Sequence, residues 1–146
     1  MQEKEETMAM NRRQAREAAF ELLFETEFKQ DETRDGIFAI STVNREIEED
    51  AYLKAVYFGV GEHQDELDEL INKHAKGWKV SRISRVSRSI LRLAIFEMRY
   101  LDDVPHHVAI NEAIELSKKF DEESARPFVN GVLNSIKDEL FGAKDA

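Results

Sequence analysis

Apolar residues recur at intervals of three and four positions along most of the chain, the spacing that places them on one face of an α-helix. Strand-like alternation of apolar and polar residues is scarce. The first periodic segment opens at Asn11, which forms a predicted capping pair with Gln14, and extends to about Gln30. The pattern predicts further helices around Ile37 to Ile40, from a cap at Asn44 to Gly59 or Gly61, from near Leu67 to Lys76, from Ser84 to Leu101, from His106 to Phe120, and from Pro127 to Leu140.

The segment from Ser84 to Leu101 is the most apolar of these helices, so it is expected at the centre of the fold. Glu97 falls within its apolar sector. Because a buried carboxylate is costly unless it is paired, Glu97 is predicted to have a buried partner. With two prolines and six glycines, the chain has few helix breakers. We expect an all-α bundle of about seven helices, with a flexible leader at residues 1–10 and a single domain at residues 11–146.

The last predicted helix carries an unusual pair, Asn130 and Gly131, in the segment FVNGVLN. Glycine inside a helix costs about 1 kcal/mol relative to alanine, and asparagine competes for backbone hydrogen bonds. Gly131 is predicted to allow a neighbouring helix to approach closely. Two roles stay open for Asn130: a hydrogen bond to the adjoining backbone, or a contact to a partner molecule.

Composition limits the class of protein. The 146 residues include no cysteine, which rules out disulfides and thiolate metal sites and suits a reducing compartment. No apolar run reaches the roughly 18 residues of a membrane span, and Met1 to Met10 lacks the apolar core of a signal peptide. We expect a soluble, cytoplasmic protein with no membrane contact. The net charge of −9 argues against indiscriminate nucleic-acid binding, because unpatterned negative charge repels phosphate.

Motifs of catalysis and cofactor binding are missing from the sequence. HExxH, GxSxG, GxxxxGKS/T and GxGxxG do not occur. His106 and His107 are adjacent, so on a helix they point about 100° apart and cannot chelate one ion together. The sequence therefore predicts a protein that is not an enzyme and that uses no metal and no cofactor.

The segment NRRQAREAAFELLF brings arginine and phenylalanine side chains onto one stripe of the first helix. Guanidinium groups bind phosphates, and guanidinium and aromatic planes stack on unpaired bases, so this combination is typical of single-stranded RNA binding. Positive charge at a helix N-terminus opposes the macrodipole and suggests an anionic partner. Alternatively, the phenylalanines are core and the arginines pair with Glu17 and Glu21. The residues concerned are Arg12, Arg13, Arg16, Phe20, Phe24 and Phe28.

A second basic cluster follows in the middle of the chain. Four of its arginines fall within about 60° on a helical wheel, opposite the apolar sector, and form a predicted basic ridge. The ridge is either a phosphate track or is neutralised by the acidic helices around residues 46–69. Salt bridges are the favoured interpretation for every ridge arginine except Arg85. The cluster comprises Lys76, Lys79, Arg82 and the ridge residues Arg85, Arg88, Arg92 and Arg99.

Four segments together resemble, in order, the signatures of the NusB family of transcription antitermination factors. They are RRQAREAAFELLF, RVSRSILRLAIFEM after Trp78, VPHHVAINEAIELSKKF and FVNGVLN, and the likeness covers about residues 11–136. It implies an all-helical fold of two three-helix halves around a shared long helix. It also implies a non-enzymatic role: binding single-stranded boxA RNA jointly with NusE, a ribosomal small-subunit protein, to keep RNA polymerase elongating through ribosomal RNA operons.

The resemblance also assigns candidate RNA-binding residues. Phe24 stands where the family commonly has tyrosine, so it can stack on a base but cannot donate a hydrogen bond. Many members have a lysine before Phe128, where this chain has Pro127, and Arg126 is expected to supply that charge from one position earlier. The full set is Arg12, Arg13, Arg16, Phe24, Arg126, Phe128 and Asn130.

A different class of function remains open at this stage. The chain could be a helical protein-interaction module or a homodimer that does not bind RNA by itself. Exposed Phe24 and Phe28 would then anchor a protein interface. Under the family resemblance, by contrast, the partners are boxA-type RNA, NusE and the transcription elongation complex.

Overall fold

The computed structural model describes residues 9–142 and contains, within them, seven α-helices, one short 3₁₀ turn and no strand. This confirms the all-α prediction, and none of the helices in that range is long and apolar enough to cross a membrane. Residues 1–8, most of the predicted leader, lie outside the described range. The elements are α1 Arg12–Glu27, α2 Arg34–Asn44, α3 Ala51–Glu62, α4 Gln64–His74, the 3₁₀ turn Val80–Arg82, α5 Arg85–Tyr100, α6 His106–Phe120 and α7 Ala125–Phe141.

The start of α1 follows the predicted capping pair. The side chain of Asn11 accepts from the backbone N–H of Gln14 at 2.8 Å, and the Gln14 side chain accepts from the Asn11 N–H at 2.9 Å. The predicted cap of the third helix is wrong, because Asn44 is the last residue of α2. Asp50 caps α3 instead, accepting from the N–H of Leu53 at 2.9 Å.

Close helix approach occurs at glycines other than the predicted one. Gly59 and Gly61 lie inside α3 and do not end it. A Cβ atom at Gly59 would collide with the ring of Phe96 on α5, and one at Gly61 would collide with the side chain of Arg34 on α2. At Gly131 an added Cβ would meet nothing within 4 Å. The prediction that Gly131 allows close packing is therefore wrong, because this residue faces outward on α7.

Helix α5 is the element that both halves of the fold share. Eleven of its sixteen residues are buried, and it packs against α1 and α3 on one side and against α4, α6 and α7 on the other. Helix α2 completes the first half by packing against α1. This arrangement confirms the fold of two three-helix halves with a common central helix.

A buried ion pair joins the first half to the central helix. Arg16 on α1 is 4% exposed and Glu97 on α5 is 0% exposed. Their side chains make hydrogen bonds of 2.8 to 3.2 Å, and the hydroxyl of Tyr52 on α3 donates to Glu97 at 2.6 Å. Burial disfavours the charge of Arg16, but the hydrogen bonds and attraction from Glu97 outweigh it and raise the pKa of the guanidinium. Glu97 thus has the buried partner that the sequence predicted.

The predicted basic ridge on α5 is mostly internal. Arg92 is buried and bonds Asp68 on α4 at 2.8 Å and Glu27 on α1 at 2.7 Å. Arg88 also bonds Glu27. Its neighbours bury this part of α5, so the prediction of an outward ridge opposite the apolar sector is wrong there. The salt-bridge interpretation is confirmed for three of the four ridge residues, Arg88, Arg92 and Arg99.

Substitution of Glu97 by glutamine should strongly destabilise the protein. Arg16 would stay buried with only the carboxylate of Glu112, 3.4 Å away, as a counter-charge, and breaking one partner of a buried pair costs about 3–5 kcal/mol. We expect this loss in the free energy of unfolding measured by urea denaturation, and a smaller loss in the double variant Arg16→Met/Glu97→Met. Glu115→Gln, at an exposed carboxylate, is the control. A loss no larger than that of the control would contradict the assignment.

Substitution of Gly131 by alanine should stabilise the protein. The added methyl group meets no neighbour, and alanine is favoured over glycine inside a helix by about 0.5–1 kcal/mol. Gly59→Ala is the contrasting variant and should lower the melting temperature, because its Cβ would collide with Phe96. A loss of stability in Gly131→Ala would mean that this position does contact another part of the protein.

Candidate nucleic-acid interface

A groove runs between α1 and α6, and three side-chain contacts bridge these helices in matching order. Arg13 donates to both carboxylate oxygens of Glu112 at 3.1 and 2.7 Å. Lys119 lies 2.8 Å from Glu17, and the ring centroids of Phe20 and Phe120 are 4.7 Å apart. The helices therefore run side by side in the same direction. We call this surface, together with the start of α7, the α1/α6 groove.

The first end of the α1/α6 groove is basic and rich in amides. Its cavity of about 680 Å³ includes Arg13, Lys118 and Arg126, together with Asn111 and Asn130. The Nε atom of Arg126 is buried and has no hydrogen-bond partner among the described residues. Such groups are rare in native proteins and call for an explanation such as a bound water or ion. The carboxylates of Glu112 and Glu115 also line this end and pair with Arg13 and Lys118. Three cations, two amides and two carboxylates therefore face a ligand here.

The side chain of Asn130 is exposed and bonds only within its own helix. Its side-chain oxygen accepts from the amide of Asn134 at 3.1 Å, and its backbone carbonyl accepts from the same amide at 3.0 Å. Among the described residues the amide N–H groups of Asn130 have no acceptor. Of the two predicted roles, the bond to the backbone of a neighbouring element is not found, and the amide is available to a partner.

Arg13 is exposed even though it is paired. Its side chain is 61% exposed, and that of Glu112 is 16% exposed. The hydrogen bond from Arg13 holds the pKa of Glu112 below its ordinary value, against the opposing effect of burial. Glu112 also has a second cationic partner, Arg16, 3.4 Å away. Arg13 is therefore open to another anion on its solvent-exposed side.

The middle of the groove links the basic end to an aromatic end. A cavity of about 210 Å³ shares Arg13, Glu112 and Lys118 with the basic end and extends to Lys119. The ammonium group of Lys119 lies 5.5 Å from the centroid of the Phe120 ring. A positively charged side chain thus stands directly beside the first aromatic ring.

The aromatic end is a cavity of about 510 Å³ with four phenylalanine rings in its wall. The Phe20 and Phe24 rings are stacked with centroids 6.0 Å apart, and Phe24 and Phe28 meet edge to face at 5.1 Å. Phe20 is buried, Phe24 is half-buried and Phe28 is 58% exposed. The rings Phe120, Phe20, Phe24 and Phe28 therefore lead from the core to the solvent.

Four of the predicted site residues lie in the α1/α6 groove. Arg13, Arg126 and Asn130 line the basic end, although α1 and α7 are far apart in the sequence. Phe24 lines the aromatic end. The structure thus brings together side chains of the types that the sequence analysis selected for phosphate and base contacts.

Of the other three predicted residues, Arg16 borders the middle of the groove, while Arg12 and Phe128 lie outside it. The guanidinium of Arg16 is inside the protein and bonded to Glu97. Arg12 lies over the ring of Tyr52 at 4.5 Å and is 3.7 Å from Asp103, away from the groove residues on α6. Phe128 is half-buried and packs against the hydrophobic core. None of the three contributes a free surface to the groove.

Sequence reasoning missed the contribution of α6. Lys118, Lys119 and Phe120 line the groove, and they stand consecutively in the motif ELSKKF. Two lysines before an aromatic ring indicate a surface that can bind phosphates and bases, and the sequence analysis did not use this pattern. Asn111 was missed for the same reason.

The chemistry of the groove is that of binding. Cations can neutralise phosphates, amides can bond base edges, and exposed rings can stack on bases. Among residues 9–142, no group of three or more His, Asp or Glu side chains is placed to hold a metal ion. The arrangement suits an unpaired nucleic-acid strand.

Comparison with protein families gives a match to the NusB family over residues 13–138. The transcription antitermination protein NusB of Bacillus subtilis is 45% identical over 131 residues, which cover 90% of this chain and 98% of that protein. NusB of Bacillus cereus strain B4264 is 42% identical over 131 residues, covering 90% of this chain and all of that protein.

Solved structures of similar fold include two NusB structures. NusB of T. maritima has a TM-score of 0.78 and 35% identity, with 90% of this chain and 94% of that chain covered. A crystal structure of antitermination factors NusB and NusE in complex with dsRNA has a TM-score of 0.78 and 28% identity, with 88% of this chain and 96% of that chain covered. The resemblance found in the sequence motifs is confirmed.

The acid stability of the protein should depend on Arg13. Because the pKa of Glu112 in the folded state is below its ordinary value of 4.5, its stabilising effect is present above that pH and is lost as the pH falls through the folded value. In Arg13→Ala the pKa of Glu112 should rise, as measured by an NMR titration of its carboxyl carbon. Lys118→Ala, in the same groove, is the control. An unchanged Glu112 titration in Arg13→Ala would contradict the pairing.

Proposed function

Because the chain belongs to the NusB family of transcription antitermination proteins, we propose that it binds single-stranded boxA-type RNA in the α1/α6 groove. The observation that supports this proposal is the order of three features along α1 and α6: an amide-rich end with three cations, a middle part that reaches Lys119, and a row of aromatic rings that meets the solvent at Phe28. One strand can use both ends at once, phosphates at the first and bases at the second.

Phosphate contacts belong to the basic end. Arg126 has a buried Nε without a partner, and a phosphate oxygen would satisfy it. Arg13 would exchange Glu112 for phosphate, and Lys118 would add a further charge. Guanidinium groups suit this task because their planar N–H donors match the geometry of a phosphate. These contacts supply affinity but little sequence information.

Base contacts belong to the rings and amides. Phe24 and Phe28 offer faces and edges on which unpaired bases stack, at about 1–3 kcal/mol per base. The amides of Asn111 and Asn130 both donate and accept, so they can bond the edges of splayed bases. A paired duplex would hide those edges and faces, which favours a single strand as the ligand.

Arg16, Arg12 and Phe128 act on the RNA site through structure. The buried pair of Arg16 and Glu97 holds α1 against α5, and this fixes where Arg13 stands one turn earlier. Phe128 anchors the start of α7 on the core, and this places Arg126 and Asn130. Arg12, at the start of α1, packs its guanidinium over the ring of Tyr52.

Family membership also supports a protein partner. The solved complex of the antitermination factors NusB and NusE with dsRNA supports NusE, a ribosomal small-subunit protein, as the second component that binds RNA jointly with this chain. The assembly would then act within the transcription elongation complex on ribosomal RNA operons, in the cytoplasm. We assign the whole role to one domain at residues 11–146.

A second candidate function is a homodimer or another protein-interaction module. The observation in its favour is the exposure of two large apolar side chains, Ile40 and Val43, on α2. These residues lie outside the α1/α6 groove. A partner on α2 would therefore leave the RNA site accessible, and the two functions are separable by experiment.

Variants in the groove should weaken RNA binding in two distinct ways. Arg13→Ala and Arg126→Ala should each lower the affinity and reduce the salt slope by about 0.7 per lost phosphate contact. Phe24→Ala should weaken binding by about 1–3 kcal/mol with the salt slope unchanged, because stacking releases no counterions. Filter binding of a boxA-type RNA at several salt concentrations measures both quantities.

Lys54→Ala removes an exposed cation from α3 and is the charge-matched control. Binding that is equal in parent, Arg13→Ala and Arg126→Ala would overturn the groove as the RNA site. The titration is repeated with NusE, which should tighten RNA binding. Sedimentation without RNA tests the second candidate, since a dimer of the free chain that does not respond to RNA would favour it.

A further inference from the structure

The middle of the chain contains a long stretch without carboxylates. No aspartate or glutamate occurs between Glu69 and Glu97, although the protein carries 30 acidic residues. In this stretch a lysine or arginine stands at every third position from Lys73 to Arg88. The overall charge of −9 therefore hides a strongly basic segment.

Three of the cations in this stretch form ion pairs with carboxylates. Arg88 and Arg92 bond Glu27, and Lys73 lies 3.1 Å from Glu139. The remaining four are exposed, and within residues 9–142 no carboxylate lies within ion-pair distance of any of them. We call the segment that carries them the basic connector. Its unpaired cations are Lys76, Lys79, Arg82 and Arg85.

Two exposed aromatic rings accompany these cations. Trp78 is 54% exposed in the connector itself. The guanidinium of Arg85 lies over the ring of Phe28 at 4.7 Å from its centroid. Phe28 also meets Phe24 at the aromatic end of the α1/α6 groove. The basic connector and the groove are therefore adjacent surfaces that share Phe28.

The connector is held firmly at the end of α1. Arg88 donates to the backbone carbonyls of Val80 and Ile83, both at 3.4 Å, while its other nitrogen atoms bond Glu27. The 3₁₀ turn Val80–Arg82 adds a local constraint, because side chains three positions apart lie on the same side of such a turn. Lys79 directly precedes this turn and Arg82 ends it, so both belong to a segment whose backbone is held near the end of α1.

We propose that the basic connector is a second RNA-binding surface, which takes nucleotides flanking the segment that lies in the α1/α6 groove. Lys79, Arg82 and Arg85 bind phosphates, and Phe28 and Trp78 stack on bases. This inference rests on the proposed function, because the strand leaves the groove at Phe28. The contacts of the basic connector would add to those that the RNA makes in the α1/α6 groove.

The chemistry favours RNA over an acidic protein as the ligand. An acidic peptide would use the cations but would have no need of the two exposed rings, Trp78 and Phe28. A nucleotide carries one phosphate and one flat base, and this surface offers cations together with rings on which a base can stack. Arg85 combines both, since a guanidinium that lies on a ring can also contact a phosphate.

The test compares two RNAs and three proteins. The short RNA covers the boxA-type element only, and the long RNA carries additional unpaired nucleotides on both sides. The connector variant is Lys79→Ala/Arg82→Ala/Arg85→Ala. The control, Lys54→Ala/Lys73→Ala/Arg99→Ala, removes the same number of charges from exposed cations with carboxylate partners.

The parent should bind the long RNA at least tenfold more tightly than the short one. The connector variant should lose this difference, and its salt slope for the long RNA should fall by about 2, at about 0.7 for each of three phosphates. Because Arg85 lies on Phe28 of the groove, unchanged affinity for the short RNA is expected of the double variant Lys79→Ala/Arg82→Ala. Trp78→Ala should weaken binding of the long RNA with an unchanged salt slope. The control should behave as the parent.

Equal affinities of the parent for the two RNAs would overturn the inference, and so would a connector variant that keeps the preference for the long RNA. Loss of NusE binding with RNA binding intact would overturn it as well, since the connector would then be a protein contact. Failure of the proposed function has a different signature: Arg13→Ala binds the short RNA as the parent does. Melting curves check folding, and removal of Arg85 from a helix N-terminus carries no penalty from the macrodipole.

Discussion

The arrangement of the helices depends on one buried ion pair, between Arg16 and Glu97. Two charges leave water when it forms, and only an arrangement with correct geometry compensates for that cost. Tyr52 and Glu112 complete the contact, so one cluster of polar side chains joins α1, α3, α5 and α6. Hydrogen bonds have preferred directions that apolar contacts lack, and two of the helices joined here, α1 and α6, border the groove.

The acidic composition of the protein and its cationic surfaces are compatible because the cations are sorted by position. Arginines on the inner faces of α1 and α5 are paired with carboxylates of neighbouring helices. Arg82 in the basic connector and Arg85 at the start of α5 remain exposed to solvent. Net charge therefore says little about where an anion can bind. At the groove Arg13 stands between the two classes, paired with Glu112 but exposed.

Much of the fold could be predicted from the sequence, because helix periodicity and capping are local properties. The division between Arg13 and Arg16 could not. Both residues stand three positions apart on one amphipathic helix, and only the tertiary contact with Glu97 decides which of them is internal. Lys118 and Lys119 were missed because α6 meets α1 only in three dimensions. Phe24 and Asn130 were selected from the family resemblance, and the structure places Phe24 half-buried at the aromatic end and Asn130 exposed at the basic end.

Gly131 has a different significance once its outward position is known. Between Asn130 and Val132 the surface of α7 carries no side chain at all, and nothing else in the described chain approaches within 4 Å of where one would begin. The polypeptide backbone is bare there, beside the amide of Asn130. A ribose ring could lie flat against this stretch at van der Waals distance, whereas any larger residue would hold it away. Under the proposed function, the weaker helix at Gly131 keeps this stretch of backbone open to RNA.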